Sequence, residues 1–158
     1  MEKKYLTTSP AQTRTLAKKI SEYFFKKLSS NQSFVICLKG DLGGGKTTFL
    51  QGFAKGLGIK EKITSPTFVI AKRFNIYSLI KNKREFKNFY HFDCYRIGNP
   101  KEILNLDYIK IISNPRNIIA IEWPEKIKSM LPKNIVLIKF KFIDKKKREI
   151  VIKFKDAR

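Results

Sequence analysis

The sequence predicts an α/β fold that closes with an antiparallel hairpin, and three patterns support this class. Residues 33–38 form an apolar run of strand length, and a helical pattern over residues 47–57 follows shortly after it. Residues 117–121 are almost entirely apolar, as expected for a strand inside a sheet. Residues 135–143 and 148–154 alternate in polarity on either side of a lysine-rich turn, which predicts the hairpin.

The first half of the chain carries clear capping and turn signals. Residues 9–12, Ser-Pro-Ala-Gln, supply an N-cap, a first-turn proline and a capping-box residue for a helix that runs to about Leu28. The basic, polar segment 81–85 predicts a hairpin loop between two strands, the second of which covers residues 89–93.

Two further helices are predicted in the second half. Residues 99–102, Asn-Pro-Lys-Glu, begin a helix that ends before Asn114, and residues 124–130 predict a short helix. Neither an internal repeat nor a linker interrupts the sequence. We therefore expect residues 1–158 to form a single domain.

Composition excludes several classes of protein. The 158 residues are 42% hydrophobic and 13% aromatic, which is typical of a globular chain rather than a disordered one. No apolar stretch approaches the ~18 residues that span a bilayer, and residues 1–5 lack the apolar core of a signal peptide. These features favour a cytoplasmic location. Cys37 and Cys94 are far apart and form no C-x-x-C motif, so we expect buried, reduced thiols.

The formal net charge of +21 has two interpretations. A basic surface attracts phosphate backbones and can indicate contact with RNA. Lysine greatly outnumbers arginine, however, and isoleucine and asparagine are abundant, which is also the pattern of an A·T-rich genome. The charge by itself leaves both interpretations open.

A phosphate-binding loop is the most informative motif. Residues 40–48, Gly-Asp-Leu-Gly-Gly-Gly-Lys-Thr-Thr, match the pattern G-x-x-x-x-G-K-[ST]. Its glycines let successive amides point into one anion-sized hollow, and the helix that follows adds the positive end of its dipole. Lys46 can reach the β- and γ-phosphates, and the Thr47 hydroxyl can bind Mg²⁺. The motif predicts that the chain binds a nucleoside triphosphate.

ATP is favoured over GTP. Residues 82–85, Asn-Lys-Arg-Glu, resemble a guanine-recognition signature, but they precede the strand at residues 117–121 instead of following it. We interpret them as a solvated turn.

Two acidic residues at strand ends are candidates for magnesium chemistry. Glu122 directly follows an apolar strand, at the edge where ligands bind to parallel α/β sheets. The structural alternative is that Glu122 caps the helix that begins at Pro124. Asp93 can contact magnesium or orient the attacking water, and its structural alternative is an ion pair with Arg96.

Three further residues have weaker functional signals. Thr67 lies in the loop after the phosphate-binding helix, where many related NTPases place a threonine that senses the γ-phosphate. His91 is the only histidine, so packing or a hydrogen bond to a functional group is favoured over a zinc site. Trp123 is the only tryptophan, and its indole would report movement of Glu122.

Four motifs together resemble the TsaE family, small bacterial ATPases that serve the synthesis of threonylcarbamoyladenosine in tRNA. They are residues 40–48, Ser-Pro-Thr-Phe at 65–68, His-Phe-Asp-Cys-Tyr-Arg at 91–96 and Ile-Glu-Trp-Pro-Glu at 121–125. The resemblance covers nearly the whole chain, in order. It implies a P-loop NTPase-like fold, with a mixed, mainly parallel central sheet and flanking helices.

The resemblance also implies a function. It indicates ATP and Mg²⁺ as ligands, and slow hydrolysis of the β–γ bond that supports the TsaB–TsaD pair in modifying adenosine 37 of tRNA. Contact with tRNA is expected to be indirect, and neither DNA nor a membrane is expected as a partner.

By the same resemblance, individual residues have expected roles. Thr47 and Glu122 bind magnesium, Lys46, Asp93 and Glu122 are catalytic, and Thr67 lies at the γ-phosphate. With Thr67, the expected ATP contacts are Pro10, Gly43, Gly44, Gly45, Lys46, Thr47, Thr48 and Arg148. Gly44 replaces the alanine usual in the family, which we expect to loosen the loop. The turn at residues 145–147 has three lysines where a glycine is common.

Two other functions fit the phosphate-binding motif. A small-molecule kinase would transfer the γ-phosphate to a metabolite, but such kinases usually need an arginine-bearing lid, for which the sequence has no obvious segment. A non-catalytic RNA-binding module would use ATP only as a structural ligand, in keeping with the charge of +21.

Overall fold

The structure, a computed structural model, describes residues 1–28, 31–65, 70–77 and 86–155. The strands are β1 (Glu2–Thr7), β2 (Phe34–Lys39), β3 (Ala71–Asn75), β4 (Asn88–Asp93), β5 (Asn117–Glu122), β6 (Ile135–Phe142) and β7 (Arg148–Lys155). The α-helices are α1 (Pro10–Lys27), α2 (Lys46–Gly56) and α3 (Tyr108–Ser113), and two 3₁₀ helices cover Pro100–Leu106 and Pro124–Met130. The predicted loop at residues 81–85 and Thr67 lie outside the described residues.

The seven strands in the described part of the chain form one mixed sheet in the order β1-β7-β6-β2-β5-β4-β3. The four strands β6, β2, β5 and β4 are parallel to one another, whereas β7, β1 and β3 run antiparallel to their neighbours. The predicted α/β class, with a mixed sheet, a largely parallel core and a C-terminal antiparallel hairpin, is confirmed.

Both faces of the sheet are buried by helices, which explains the continuous apolar sequence of its central strands. Side chains alternate across β2, so that Ile36 and Leu38 face one core while Val35 and Cys37 face the other. The first core contains apolar side chains of α1 and α2, and the second contains side chains of α3 and the two 3₁₀ helices. Within the described residues, no helix has the length and apolarity needed to cross a bilayer.

Three details differ from the sequence predictions. The edge strand β1 is not predicted, because most of its side chains are polar and exposed. The helix expected between Asn99 and Asn114 is two helices, since Asp107 adopts a left-handed conformation with φ of 54°. The Ser9 hydroxyl accepts from the Gln12 amide, as expected for an N-cap, but the Gln12 side chain accepts from the amide and hydroxyl of Thr8 instead of completing the predicted capping box with the Ser9 amide.

Both cysteines are fully buried and form no disulfide. Burial raises the pKa of the Cys94 thiol to about 12, so almost no thiolate is present at neutral pH. We expect a thiol reagent such as Ellman's reagent to label fewer than a tenth of the cysteines in the native protein within minutes, and both after denaturation. Rapid labelling of the native protein would contradict this burial.

Candidate nucleotide-binding site

The parallel core brings three strand ends together at one edge of the sheet. In the register of the three strands, Leu38 of β2 pairs with Glu122 of β5, and Glu122 pairs with Asp93 of β4. The glycine-rich loop leaves the same edge directly after β2. Both carboxylates that the sequence singles out therefore lie beside the phosphate-binding loop.

The loop has the backbone geometry that its glycines permit. Gly43 and Gly45 have φ of 72° and 100°, a region that residues with a Cβ rarely adopt. The amide of Gly44 donates to the carbonyl of Asp41 at 3.0 Å, and a Cβ on Gly44 would lie 2.9 Å from that oxygen. Glycine at position 44 thus avoids a close contact with the Asp41 carbonyl in this turn, and the loosening of the loop stays a prediction.

Lys46, the first residue of α2, directs its amine back into the loop. Its Nζ donates to the carbonyls of Gly40 at 2.5 Å and Asp41 at 2.8 Å, and lies 4.6 Å from the centre of the Trp123 ring. Only 5% of the residue is exposed. Burial lowers the pKa of the Lys46 ammonium, and the nearby carboxylates of Glu122 and Asp93 oppose that shift.

Glu122 is buried and held by a neighbouring strand. Its Oε1 lies 2.8 Å from Nε2 of His91, which is completely buried, while Nδ1 of His91 has no hydrogen-bond partner among the described residues. This arrangement is satisfied when Nε2 of His91 carries a hydrogen and donates it to the carboxylate. The N-cap residue of the next helix is Trp123 and not Glu122, and the Trp123 side chain makes no capping hydrogen bond. The capping alternative for Glu122 is therefore wrong.

Asp93 is also oriented by its neighbours. The hydroxyl of Ser65 donates to Oδ2 at 2.6 Å, and the amide of Tyr95 donates to Oδ1 at 3.1 Å. Since only 8% of Asp93 is exposed, these two bonds fix the carboxylate at the wall of the cleft.

A cleft of about 440 Å³ connects the loop with both carboxylates. This volume lies within the range of small-molecule sites, roughly 300–1,000 Å³. Every predicted site residue within the described ranges lines it, namely Pro10, Gly43, Gly44, Gly45, Lys46, Thr47, Thr48, Asp93, Glu122 and Arg148. Thr67 cannot be placed, because it lies outside the described residues.

The cleft also contains residues that the sequence analysis does not assign to ATP binding. They are Ser9, Thr13, Leu42, Ser65, Tyr95, Arg96, Trp123, Lys145 and Lys146. The motifs quoted above contain five of them, so motif membership could have identified Leu42, Ser65, Tyr95, Arg96 and Trp123. Ser9 and Thr13 have no such signal, because only the tertiary fold brings the start of α1 to the loop.

Arg148 connects the C-terminal hairpin to the phosphate-binding loop. It opens β7, pairs with Thr7 of β1 and donates from one terminal nitrogen to the carbonyl of Gly43 at 3.2 Å. Its Nε is buried without a hydrogen-bond partner among the described residues. The cleft therefore has an acidic side at β5 and β4 and a basic side at β7 and the turn that precedes it.

Comparison with known proteins decides the family. The model of the family described as threonylcarbamoyl adenosine biosynthesis protein TsaE matches residues 7–150, which include every residue that lines the cleft. The chain belongs to the TsaE family. The tRNA threonylcarbamoyladenosine biosynthesis protein TsaE of Bacillus subtilis is 35% identical over 147 residues, or 93% of this chain and 82% of that protein.

Other comparisons agree in sequence and in fold. The protein of the same name from Borreliella burgdorferi is 41% identical over 114 residues, which cover 72% of this chain and 75% of that protein. The crystal structure of Bacillus subtilis YdiB is 29% identical and matches with a TM-score of 0.69, covering 100% of this chain and 87% of that one. The α/β fold of this TsaE family member is thus also that of a crystallised protein.

Proposed function

We propose that this chain is a Mg²⁺-dependent ATPase that supports formation of threonylcarbamoyladenosine at position 37 of tRNA. The observation that carries the proposal is the convergence of the glycine-rich loop, Glu122 and Asp93 on one cleft. Membership of the TsaE family supports the pathway, and the names of its relatives refer to the same modification.

The donor atoms in the cleft fit magnesium. Mg²⁺ prefers oxygen ligands and is commonly held by one or two protein oxygens together with substrate phosphates. Thr47 and Glu122 offer a hydroxyl and a carboxylate of this kind in the cleft. Within the described residues, no three histidine, cysteine, aspartate or glutamate side chains are grouped to hold a metal by themselves. When bound, magnesium would neutralise charge that develops on the phosphate oxygens.

The protein groups have separable roles in the proposed hydrolysis. Amides of residues 43–48 and the positive end of α2 bind phosphate oxygens, and the Lys46 ammonium exchanges its bonds to backbone carbonyls for bonds to the β- and γ-phosphates. His91 holds Glu122 so that the carboxylate keeps one orientation.

Asp93 is suited to orient the attacking water. Each of its oxygens already accepts one hydrogen bond, and each retains a further lone-pair direction for a water molecule. We propose that Thr67 completes the γ-phosphate site. Positioning of this kind and electrostatic stabilisation carry most of the catalysis in phosphoryl transfer.

We propose TsaB and TsaD as the protein partners, with tRNA reached through them, and the cytoplasm as the location. The test is the rate of phosphate release with and without the TsaB–TsaD pair and tRNA. Strong stimulation by the complete set supports the proposal. Absence of hydrolysis under every condition, with ATP still bound, would instead support a non-catalytic ATP-binding module. Labelled phosphate on a metabolite would support a kinase.

Trp123 should report nucleotide binding, because its ring lies under the Lys46 ammonium. We expect Mg²⁺-ATP to change the tryptophan emission of the protein measurably, since the ammonium leaves the ring face when it meets phosphate. A Trp123→Phe variant removes the only tryptophan and supplies the baseline. An unchanged emission spectrum, with binding shown by calorimetry, would contradict this arrangement.

A further inference from the structure

The turn between β6 and β7 places two lysines against the nucleotide cleft. Lys145 and Lys146 line the cleft together with the phosphate-binding loop, whereas Lys139 and Lys141 of β6 do not. No ion pair or hydrogen bond involves the ammonium group of Lys145 or Lys146 among the described residues. Two cationic groups without a protein partner thus lie beside a predicted phosphate site.

The turn is held in place by its own hydrogen bonds. The Asp144 carboxylate accepts from the amides of Lys146 and Lys147, each at 2.8 Å, and these bonds lower the pKa of Asp144. Arg148 donates to the Asp144 carbonyl at 2.6 Å and to the Gly43 carbonyl at 3.2 Å. The Arg148 side chain therefore links the backbone of the lysine turn to the phosphate-binding loop.

The topology indicates which part of the nucleotide they meet. The acidic groups lie on the β5 and β4 side of β2, and the lysine turn lies on the β6 and β7 side. If Glu122 and Thr47 hold magnesium beside the triphosphate, as proposed, the γ-phosphate would lie toward the acidic side. The remainder of the nucleotide then extends toward the lysines.

We propose that Lys145 and Lys146 bind the α- and β-phosphate oxygens of the nucleotide and set the affinity for ATP and ADP alike. This inference rests on the proposed ATPase function and assigns to the turn between β6 and β7 a role in nucleotide affinity. Contacts to phosphates that the product retains stabilise substrate and transition state equally. They therefore change binding without changing the rate of the chemical step.

The test compares two double variants that remove the same charge from the same hairpin. In K145A/K146A, the dissociation constants for ATP and ADP should both rise about tenfold, because two charge-assisted contacts are lost. Single-turnover hydrolysis at saturating ATP should be unchanged. In K139A/K141A, whose lysines are exposed and lie outside the cleft, both constants should stay as in the wild type.

A second readout uses salt. The Debye length falls from about 10 Å at 0.1 M to 3 Å at 1 M, so the difference between K145A/K146A and the wild type should shrink at high salt. A difference that persists unchanged would contradict a direct electrostatic contact.

Three results would overturn the proposal. Unchanged affinities in K145A/K146A would show that the two lysines are solvated surface charges. Weaker ATP binding with unaltered ADP binding would place them at the γ-phosphate instead. Failure of the wild-type protein to bind either nucleotide would overturn the ATPase function itself, and this result is distinguishable because it precedes any variant.

Discussion

Replacing Glu122 by glutamine should lower the rate of ATP hydrolysis at least about a hundredfold while ATP remains bound. The substitution keeps the shape of the side chain and keeps an oxygen that can accept from Nε2 of His91. It removes the negative charge that we propose as a magnesium ligand. Phosphate release at saturating ATP and the dissociation constant by calorimetry measure the two effects separately.

The matched control for this variant is Glu125→Gln. Glu125 is exposed and lies outside the cleft. Its replacement by glutamine removes the same charge three residues further along the chain. We expect its hydrolysis rate to stay within about twofold of the wild type, in line with the small effects of surface changes. Equal rates for Glu122→Gln and the wild type, with partners present, would contradict a catalytic role for this carboxylate.

Lys46→Ala should weaken ATP binding at least about a hundredfold, because it removes a buried cation aimed at the phosphate-binding loop. The ammonium now bonds to two loop carbonyls, so the variant also leaves these carbonyls without that donor. Calorimetric titration with Mg²⁺-ATP gives the affinity, and circular dichroism verifies that the fold is retained.

Lys55→Ala is the control for the charge change. Lys55 is exposed in the last turn of α2, the same helix that Lys46 begins, and it does not line the cleft. Its affinity for ATP should match that of the wild type. Comparable affinities for Lys46→Ala and Lys55→Ala would show that this loop is not the phosphate site.

The acidic side of the site could be predicted from sequence because its geometry follows from strand topology. The predicted parallel core placed the ends of residues 33–38 and 117–121 at one edge, and Glu122 follows the second strand directly. The structure adds the register, in which Asp93 is the partner of Glu122. The contact between His91 and Glu122 depends on that register, which composition and periodicity do not specify.

The basic side could not be predicted from residue patterns, because it depends on elements that meet only in the folded chain. The strand β1 is polar and carries no apolar alternation, yet its pairing with β7 brings α1 beside Arg148. The position of Arg148 came from family resemblance, and the lysines of the preceding turn gave no signal of their own. Asp107 likewise breaks a helix in a left-handed conformation that its neighbours in sequence do not indicate.

We propose that one cleft holds a metal-bound triphosphate between the glycine-rich loop and two carboxylates. A crystal structure with Mg²⁺ and a non-hydrolysable ATP analogue tests it most directly. We expect the amides of residues 43–48 to bind the β- and γ-phosphates, and Thr47 and Glu122 to bind the metal. Phosphates bound elsewhere, or a metal bound away from Glu122, would contradict it.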